Sequence, residues 1–237
     1  MDKKEENQFI RQTMILGEES LNKLNNSKVI IFGLGGVGSY VAEALARAGI
    51  GTFTLVDSDK FSISNLNRQL GALHSTVGRL KTEVTAERIK DINPDAKISI
   101  VNEFYLPQNS ELFSLSSYDY IADAIDTVTA KTDLAQKAYK LSVPIISCMG
   151  TGNKKDPTLF RISDIFKTSV CPLCRTMRYE LKKRNIPKLN VVWSPEPPSK
   201  KISLSDDDGR TPGSLSFVPG AAGLIMSGKI IMDLSGK

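Results

Sequence analysis

The chain has 237 residues, 41% hydrophobic and 24% charged, which fits one large α/β domain with a real core. Its three cysteines leave an odd thiol and exclude a paired disulfide framework, and no stretch reaches the ~18 apolar residues of a membrane span. The polar start, MDKKEENQ, carries no signal-peptide core, so a cytoplasmic, reduced setting is expected, and the net charge of +5 favours anionic partners, nucleic acid among them.

Residues 6–24 read as one or two short helices, with Phe9, Ile10, Met14, Ile15, Leu21 and Leu24 as apolar contacts. The run VIIF within 28–32 is continuously apolar, as a parallel strand buried on both faces requires. A glycine-rich turn, GLGGVGS at 33–39, then opens a helix over 37–48. Residues 53–56 form the next strand and close a βαβ unit, with Asp57 at its carboxyl end. A helix is expected over 76–92, a strand over 97–102, a buried strand over 118–124, a helix over 131–141 and a strand over 144–148. Beyond Gly150 the pattern gives a strand over 159–162, a helix over 172–184 with proline in its first turn, and a short strand over 191–194. Residues 194–214, containing SPEPPSKK and SDDDGRTPGS, read as a mobile loop or lid. A strand over 215–218 and a last helix over 221–234 complete the chain. This alternation predicts an α/β fold, a mainly parallel sheet with helices on both faces. One domain over 1–237 is expected, in three parts: a helical segment 1–27, a nucleotide-binding core 28–150 and a substrate-facing part 151–237.

In such a sheet ligands bind at the carboxyl ends of the strands, where the glycine turn, Asp57, Asp126 and residues 149–153 all fall. The turn alone fits any Rossmann dinucleotide unit, but the residues after it change the reading. Asp57, Asp59, Asn65, Asn67, Arg68, Gln69 and Lys81 supply carboxylates, amides and cations enough to neutralise a polyphosphate and its metal. Backbone N–H groups at 35–39 can bind phosphate oxygens, with glycine allowing close approach. Asp57 suits ribose hydroxyls, Arg68 and Lys81 suit phosphates, and Asp126 suits Mg²⁺, which takes one or two protein carboxylates beside phosphate oxygens. No G-x-x-x-x-G-K-[ST] is present, which excludes a Walker-type NTPase.

FGLGGVGS, LVDSDKFSISNLNRQ, Lys81, INP at 92–94 and DAIDT at 123–127 resemble the E1-like ThiF/MoeB superfamily of adenylating enzymes. Within it, ALHSTVGRLK, MGTGNKKDPTLFRISDIFKTSVCPLCRTMRYELKKR and SFVPGAAGLI look like the tRNA threonylcarbamoyladenosine dehydratase branch. The resemblance implies a Rossmann-like adenylation fold using ATP and Mg²⁺, with Gly33, Gly35, Gly36, Gly38, Asp57, Asp59, Asn65, Asn67, Arg68, Gln69, Lys81 and Asp126 around the nucleotide. It also implies activation of the t6A carboxylate at position 37 of tRNA and closure of a hydantoin ring, without a protein nucleophile. It assigns catalytic roles to Arg68, Asp126 and Arg11, the last acting across a homodimer interface. In some relatives a cysteine desulfurase or sulfur-acceptor system is linked. The branch usually has serine where Cys148 stands and alanine near Thr151, departures that bear on substrate contacts.

Other readings compete. Cys171-x-x-Cys174 is half of a four-cysteine zinc site, and with only Cys148 and the distant His74 to add, zinc is not expected. The thiols then flank a helix start, and a thioester cysteine is disfavoured. Asp126 or Thr127 could instead cap the following helix. Seven basic residues and one acid lie between 167 and 188. Arg175, Arg178, Lys182, Lys183 and Arg184 there, with Lys154 and Lys155, are candidates for tRNA phosphates rather than a plain solvated face. The rival functions are activation of a ubiquitin-like sulfur carrier and a non-catalytic nucleotide- or tRNA-binding module.

Overall fold

The computed structural model describes residues 7–200 and 212–237. The strands are β1 (Lys28–Phe32), β2 (Thr52–Val56), β3 (Lys97–Val101), β4 (Tyr120–Asp123), β5 (Ile145–Cys148), β6 (Arg161–Asp164) and β7 (Asn190–Trp193). They form one sheet in the order β3-β2-β1-β4-β5-β7-β6, parallel throughout except for the β6–β7 pair. The α-helices are α1 (Ile10–Leu16), α2 (Glu18–Asn26), α3 (Gly38–Arg47), α4 (Lys81–Ile92), α5 (Val128–Leu141), α6 (Pro172–Lys183) and α7 (Val218–Ser235).

Strand β1 explains why its sequence is apolar without alternation. Val29 and Ile31 enter the core shared with α2, α3, α4 and α7, whereas Ile30 and Phe32 enter the opposite core with α5 and the 105–115 segment. Both faces are buried, so both parities must be apolar. The chain builds outward from β1 through β2 to β3, then crosses back to place β4 on the other side of β1. That reversal opens a crevice beyond the carboxyl ends of β1 and β4, the expected ligand position in such a sheet.

The α/β class, the mainly parallel sheet and the helices on both faces agree with expectation. Three elements differ. The helix expected from residue 76 begins at Lys81. Gly78 takes φ +88° and its N–H bonds to Phe61 O, while Lys60 bridges Leu80, so 76–80 close a turn instead. The strand expected over 215–218 is absent. Val218 starts α7, with Pro219 in its first turn, and Leu215 and Phe217 are exposed. The strand expected over 159–162 lies at β6, because Pro157–Leu159 forms a single 3-10 turn.

Of the loop expected over 194–214, residues 201–211 lie outside the described residues. Its flanks are tied to Asn153: Ser199 N–H donates to Asn153 O at 2.7 Å and Gly213 N–H to Asn153 Oδ1 at 2.8 Å. Among the described residues, no helix is long and apolar enough to cross a membrane.

Candidate nucleotide site

A cavity of about 530 Å³ occupies the crevice. Its walls carry Gly33, Gly35, Gly36, Asp57, Asp59, Asn65, Arg68, Gln69, Lys81 and Asp126, drawn from well-separated segments of the chain. Two of the expected nucleotide residues do not line it. Gly38 stands behind the turn, where a Cβ would come within 1.7 Å of Gly33 O, so its role is to let the turn close. Asn67 is exposed, donates through Nδ2 to Ser214 O at 3.0 Å and accepts from Arg68 Nη1 at 3.0 Å. The structure thus leaves both residues off the cavity lining.

Gly33 has φ +84°, and a Cβ there would sit 2.8 Å from Ala124 O. By contrast a Cβ on Gly35 would meet nothing nearer than Gln69 Nε2 at 3.8 Å. Gly35 is thus the point where an incoming group can approach the backbone. Helix α3 starts just beyond, at Gly38, with no side-chain cap, and Gly35, Gly36 and Val37 of the turn that leads into it line the cavity.

Asp57 organises the turn as well as facing the cavity. Oδ2 accepts Leu34 N–H at 2.7 Å and Oδ1 accepts Asp59 N–H at 2.8 Å. Lys81 is buried at the first position of α4, with Nζ 2.7 Å from Asp59 Oδ2 and 3.9 Å from Asp57 Oδ1. Arg68 is held by Ser64 O at 2.8 Å and by Asn67 Oδ1. Gln69 is buried, and among the described residues its Oε1 finds no hydrogen-bond partner. A buried acceptor left empty at a cavity wall suits a ligand donor such as an amine or hydroxyl. Asp126 is exposed to the cavity and does not cap α5. The N-cap is Thr127, and Asp126 Oδ1 accepts only Thr127 Oγ1, at 3.4 Å, among the described residues.

Sequence reasoning missed several wall residues. Glu103, Phe104 and Tyr105 come from the segment after β3, and Cys148, Leu173, Pro212, Ser214 and Pro219 close the other side, beside the expected 149–152 stretch. Nothing local marks them, because the topology alone brings them there. Burial and a hydrogen bond donated to Asp133 Oδ2 at 2.6 Å push the Tyr105 phenol far above its usual range, so it stays neutral. Burial likewise pushes the Cys148 thiol up to about 12, which makes it a poor nucleophile at neutral pH. The Cys174 thiol, with the amides of Cys174 and Gly150, holds Cys171 below the usual thiol range. All three cysteines are free and buried.

The remaining candidates separate. Arg11 is exposed on α1, and its neighbour Gln12 donates to Ala48 O at the far end of α3. The ten residues of α3 span about 15 Å, so Arg11 lies well away from this chain's own cavity. Lys154 is 3% exposed, with Nζ donating to Glu196 O at 2.6 Å, so the expected tRNA contact at Lys154 is corrected to a structural tie. Lys155, Arg175, Lys182 and Lys183 are exposed. Arg178 is engaged by Thr168 and Arg184 by Glu180 at 2.6 Å. His74 is exposed, away from the cavity wall.

A family model described as the ThiF family matches residues 9–237. A tRNA threonylcarbamoyladenosine dehydratase of Bacillus subtilis (strain 168) is 42% identical, covering 96% of this chain and 94% of that protein. The solved structure of E. coli tRNA N6-threonylcarbamoyladenosine dehydratase, TcdA, in complex with AMP superposes with a TM-score of 0.88 at 32% identity, over 97% of this chain and 94% of that one. Its complex with ATP gives 0.87 at the same identity and coverage.

Proposed function

The chain belongs to the ThiF family, and from that membership we propose that it is an ATP-dependent tRNA threonylcarbamoyladenosine dehydratase. The observation that carries this reading is the convergence of the glycine turn, Asp57, Arg68, Gln69, Lys81 and Asp126 on one cavity at the switch point of the sheet. The whole-length likeness to dehydratases, and to a structure holding ATP, supports it.

The chemistry follows from the need to make a carboxylate electrophilic. The t6A carboxylate oxygen attacks the α-phosphorus of ATP and expels pyrophosphate, leaving an acyl-adenylate. Gly35 amides, Arg68 and Lys81 take up the charge that moves onto the phosphates, and preorganised donors of this kind stabilise it most in a water-poor cavity. A urea nitrogen of the same nucleotide then attacks the carbonyl, loses its proton and expels AMP, closing the hydantoin ring. Nucleophile and carbonyl share one molecule, so ring closure gains from proximity and needs no side-chain nucleophile. The neutral Cys148 thiol fits that absence.

Mg²⁺ fits the donor set, because Asp126 presents a carboxylate with one weak internal bond to a cavity shaped for phosphates. When bound it would neutralise charge on the departing pyrophosphate, with Asp126 as its protein ligand. The tRNA would lie along the exposed cations Lys155, Arg175, Lys182 and Lys183, and a tRNA substrate would imply a cytoplasmic setting. A homodimer would bring Arg11 of a second copy to this site, and a sulfur-acceptor system remains a further candidate partner.

Mass spectrometry of tRNA nucleosides after incubation with protein and ATP tests the reading. Loss of one water, about 18 mass units, from t6A is expected with AMP release. Adenylation of the C-terminal carboxylate of a Gly-Gly-ended carrier protein with release of pyrophosphate, with t6A unchanged, would instead establish the sulfur-carrier reading.

A further inference from the structure

Directly beneath the cavity lies a charged cluster that the nucleotide reading leaves unused. Asp123, the last residue of β4, and Lys131, in α5, are both fully buried, with Nζ 2.9 Å from Asp123 Oδ2. Ser147 Oγ, from β5, donates to the same Oδ2. Asp123 Oδ1 accepts Ile125 N–H at 3.2 Å. One carboxylate therefore joins β4, α5, β5 and the turn that follows β4.

Stability gives little reason for such a pair. Removing two charges from water costs about as much as their attraction returns, and apolar residues of similar volume often serve as well or better. Position gives a stronger reason. The turn held by Oδ1 runs through Ala124 and Ile125 to Asp126, and all three line the cavity. The backbone of Ala124 also abuts the glycine turn: a Cβ on Gly33 would lie 2.8 Å from Ala124 O, and one on Gly38 would lie 3.3 Å from Ala124 Cβ. Ala124 N–H bonds back to Phe32 O at 2.9 Å, at the end of β1. Displacement of 124–126 would thus move the Asp126 carboxylate and the floor of the glycine turn together.

We propose that Asp123 is a positioning residue of this site: clamped by Lys131 and Ser147, its carboxylate fixes the Ala124–Asp126 turn and so sets both Asp126 and the glycine loop. The inference rests on the nucleotide reading of the cavity. The part that matters is the Oδ1 acceptor. Lys131 and Ser147 hold the carboxylate in place, and Lys131 balances its charge.

Two double variants separate these roles. Asp123→Asn with Lys131→Met is neutral and keeps an oxygen for Ile125 N–H. Asp123→Leu with Lys131→Met is also neutral but lacks that oxygen. The Asn variant is expected to melt close to the wild type, because it leaves neither a lone buried charge nor an unpaired donor; the Leu variant is expected to melt lower, because it strands the Ser147 hydroxyl and Ile125 N–H. The Asn variant should keep ATP affinity and turnover within threefold of wild type. The Leu variant should lose tenfold or more in kcat and in ATP affinity by calorimetry, with amide exchange at 125 and 126 accelerated. Binding of tRNA should be unchanged in both.

Wild-type ATP affinity and kcat in a folded Leu variant would overturn the inference. So would equal losses in the two variants, since charge rather than the acceptor would then matter. If the Leu variant does not fold, amide exchange at 125 and 126 in the Asn variant decides: wild-type protection supports the inference, and lost protection overturns it. Failure of the wild type to bind ATP would refute the nucleotide reading itself, a result separable from these.

Discussion

Arg68 enters the cavity with its guanidinium already held by Ser64 O and Asn67 Oδ1, so little side-chain freedom is lost when an anion arrives. Arg68→Ala should lower kcat/KM by roughly 10²–10³, the usual effect of losing one preorganised donor to a developing charge. Pyrophosphate release assayed at saturating tRNA measures it, and a loss under threefold would remove Arg68 from the phosphate site. Glu43 illustrates a residue whose value is structural. Burial alone would raise its pKa, but hydrogen bonds from Arg88 and Arg47 outweigh that and hold the carboxyl below its ordinary value. A depressed folded pKa means that the stabilisation is complete above the unfolded carboxylate pKa of about 4.3 and fades as pH falls through the folded value. Glu43→Gln should therefore cost about 1 kcal/mol near pH 7 and progressively less below pH ~4, followed by urea melts across that range.

The glycine turn and α3 act as one element, and their glycines divide into two kinds. Gly38 and Gly33 are needed by the backbone packing around them, whereas Gly35 faces open space. Gly38→Ala should destabilise the fold by roughly 4 kcal/mol or more, because the clash is with a carbonyl that has nowhere to go. Gly35→Ala should leave the melting temperature unchanged and weaken ATP at least tenfold by calorimetry, since the added methyl fills the phosphate approach. If both variants behave alike, the division is wrong. On α6, Lys182 lies 6.0 Å from the Phe166 ring centroid and Lys183 lies 4.1 Å from that of Tyr179, with both ammonium groups exposed. Reversal to Lys182→Glu and Lys183→Glu should weaken tRNA binding and flatten its log–log salt slope by about 2, as two phosphate contacts disappear. An unchanged slope would move the docking face elsewhere.

Across the whole molecule, the puzzle is α1. It buries none of its residues, exposes Ile10, Met14 and Ile15, and carries Arg11 at the far end of α3 from the cavity. A second copy resolves both features if α1 delivers Arg11 to the partner's site. Arg11→Ala and Arg68→Ala proteins should then each be nearly inactive, and their mixture should regain up to about a quarter of wild-type activity, because half of the exchanged dimers carry one intact site. A dead mixture with confirmed subunit exchange would rule out action in trans.

By itself the sequence determined the α/β class, most strand positions, the glycine turn and the polar residues of the 57–69 stretch. Those features are local: continuous apolar runs mark doubly buried strands, and a turn must carry its own glycines. Where local pattern failed, it failed for long-range reasons. The helix expected from residue 76 yields to Gly78 and the Lys60–Leu80 bridge. The apolar run at 215–218 serves as the entry to α7, where Val218 packs into the core. Lys154 belongs to a cationic pair in the sequence, yet Glu196, forty-two residues on, draws it inside. Only the tertiary structure could decide that Gly38 and Asn67 fall outside the cavity lining and that Phe104 and Cys148 form part of it. The same holds for the Asp123 carboxylate joining three elements beneath it. Which side chains share a cavity depends on the order of strands in the sheet, and no window of the chain encodes that order.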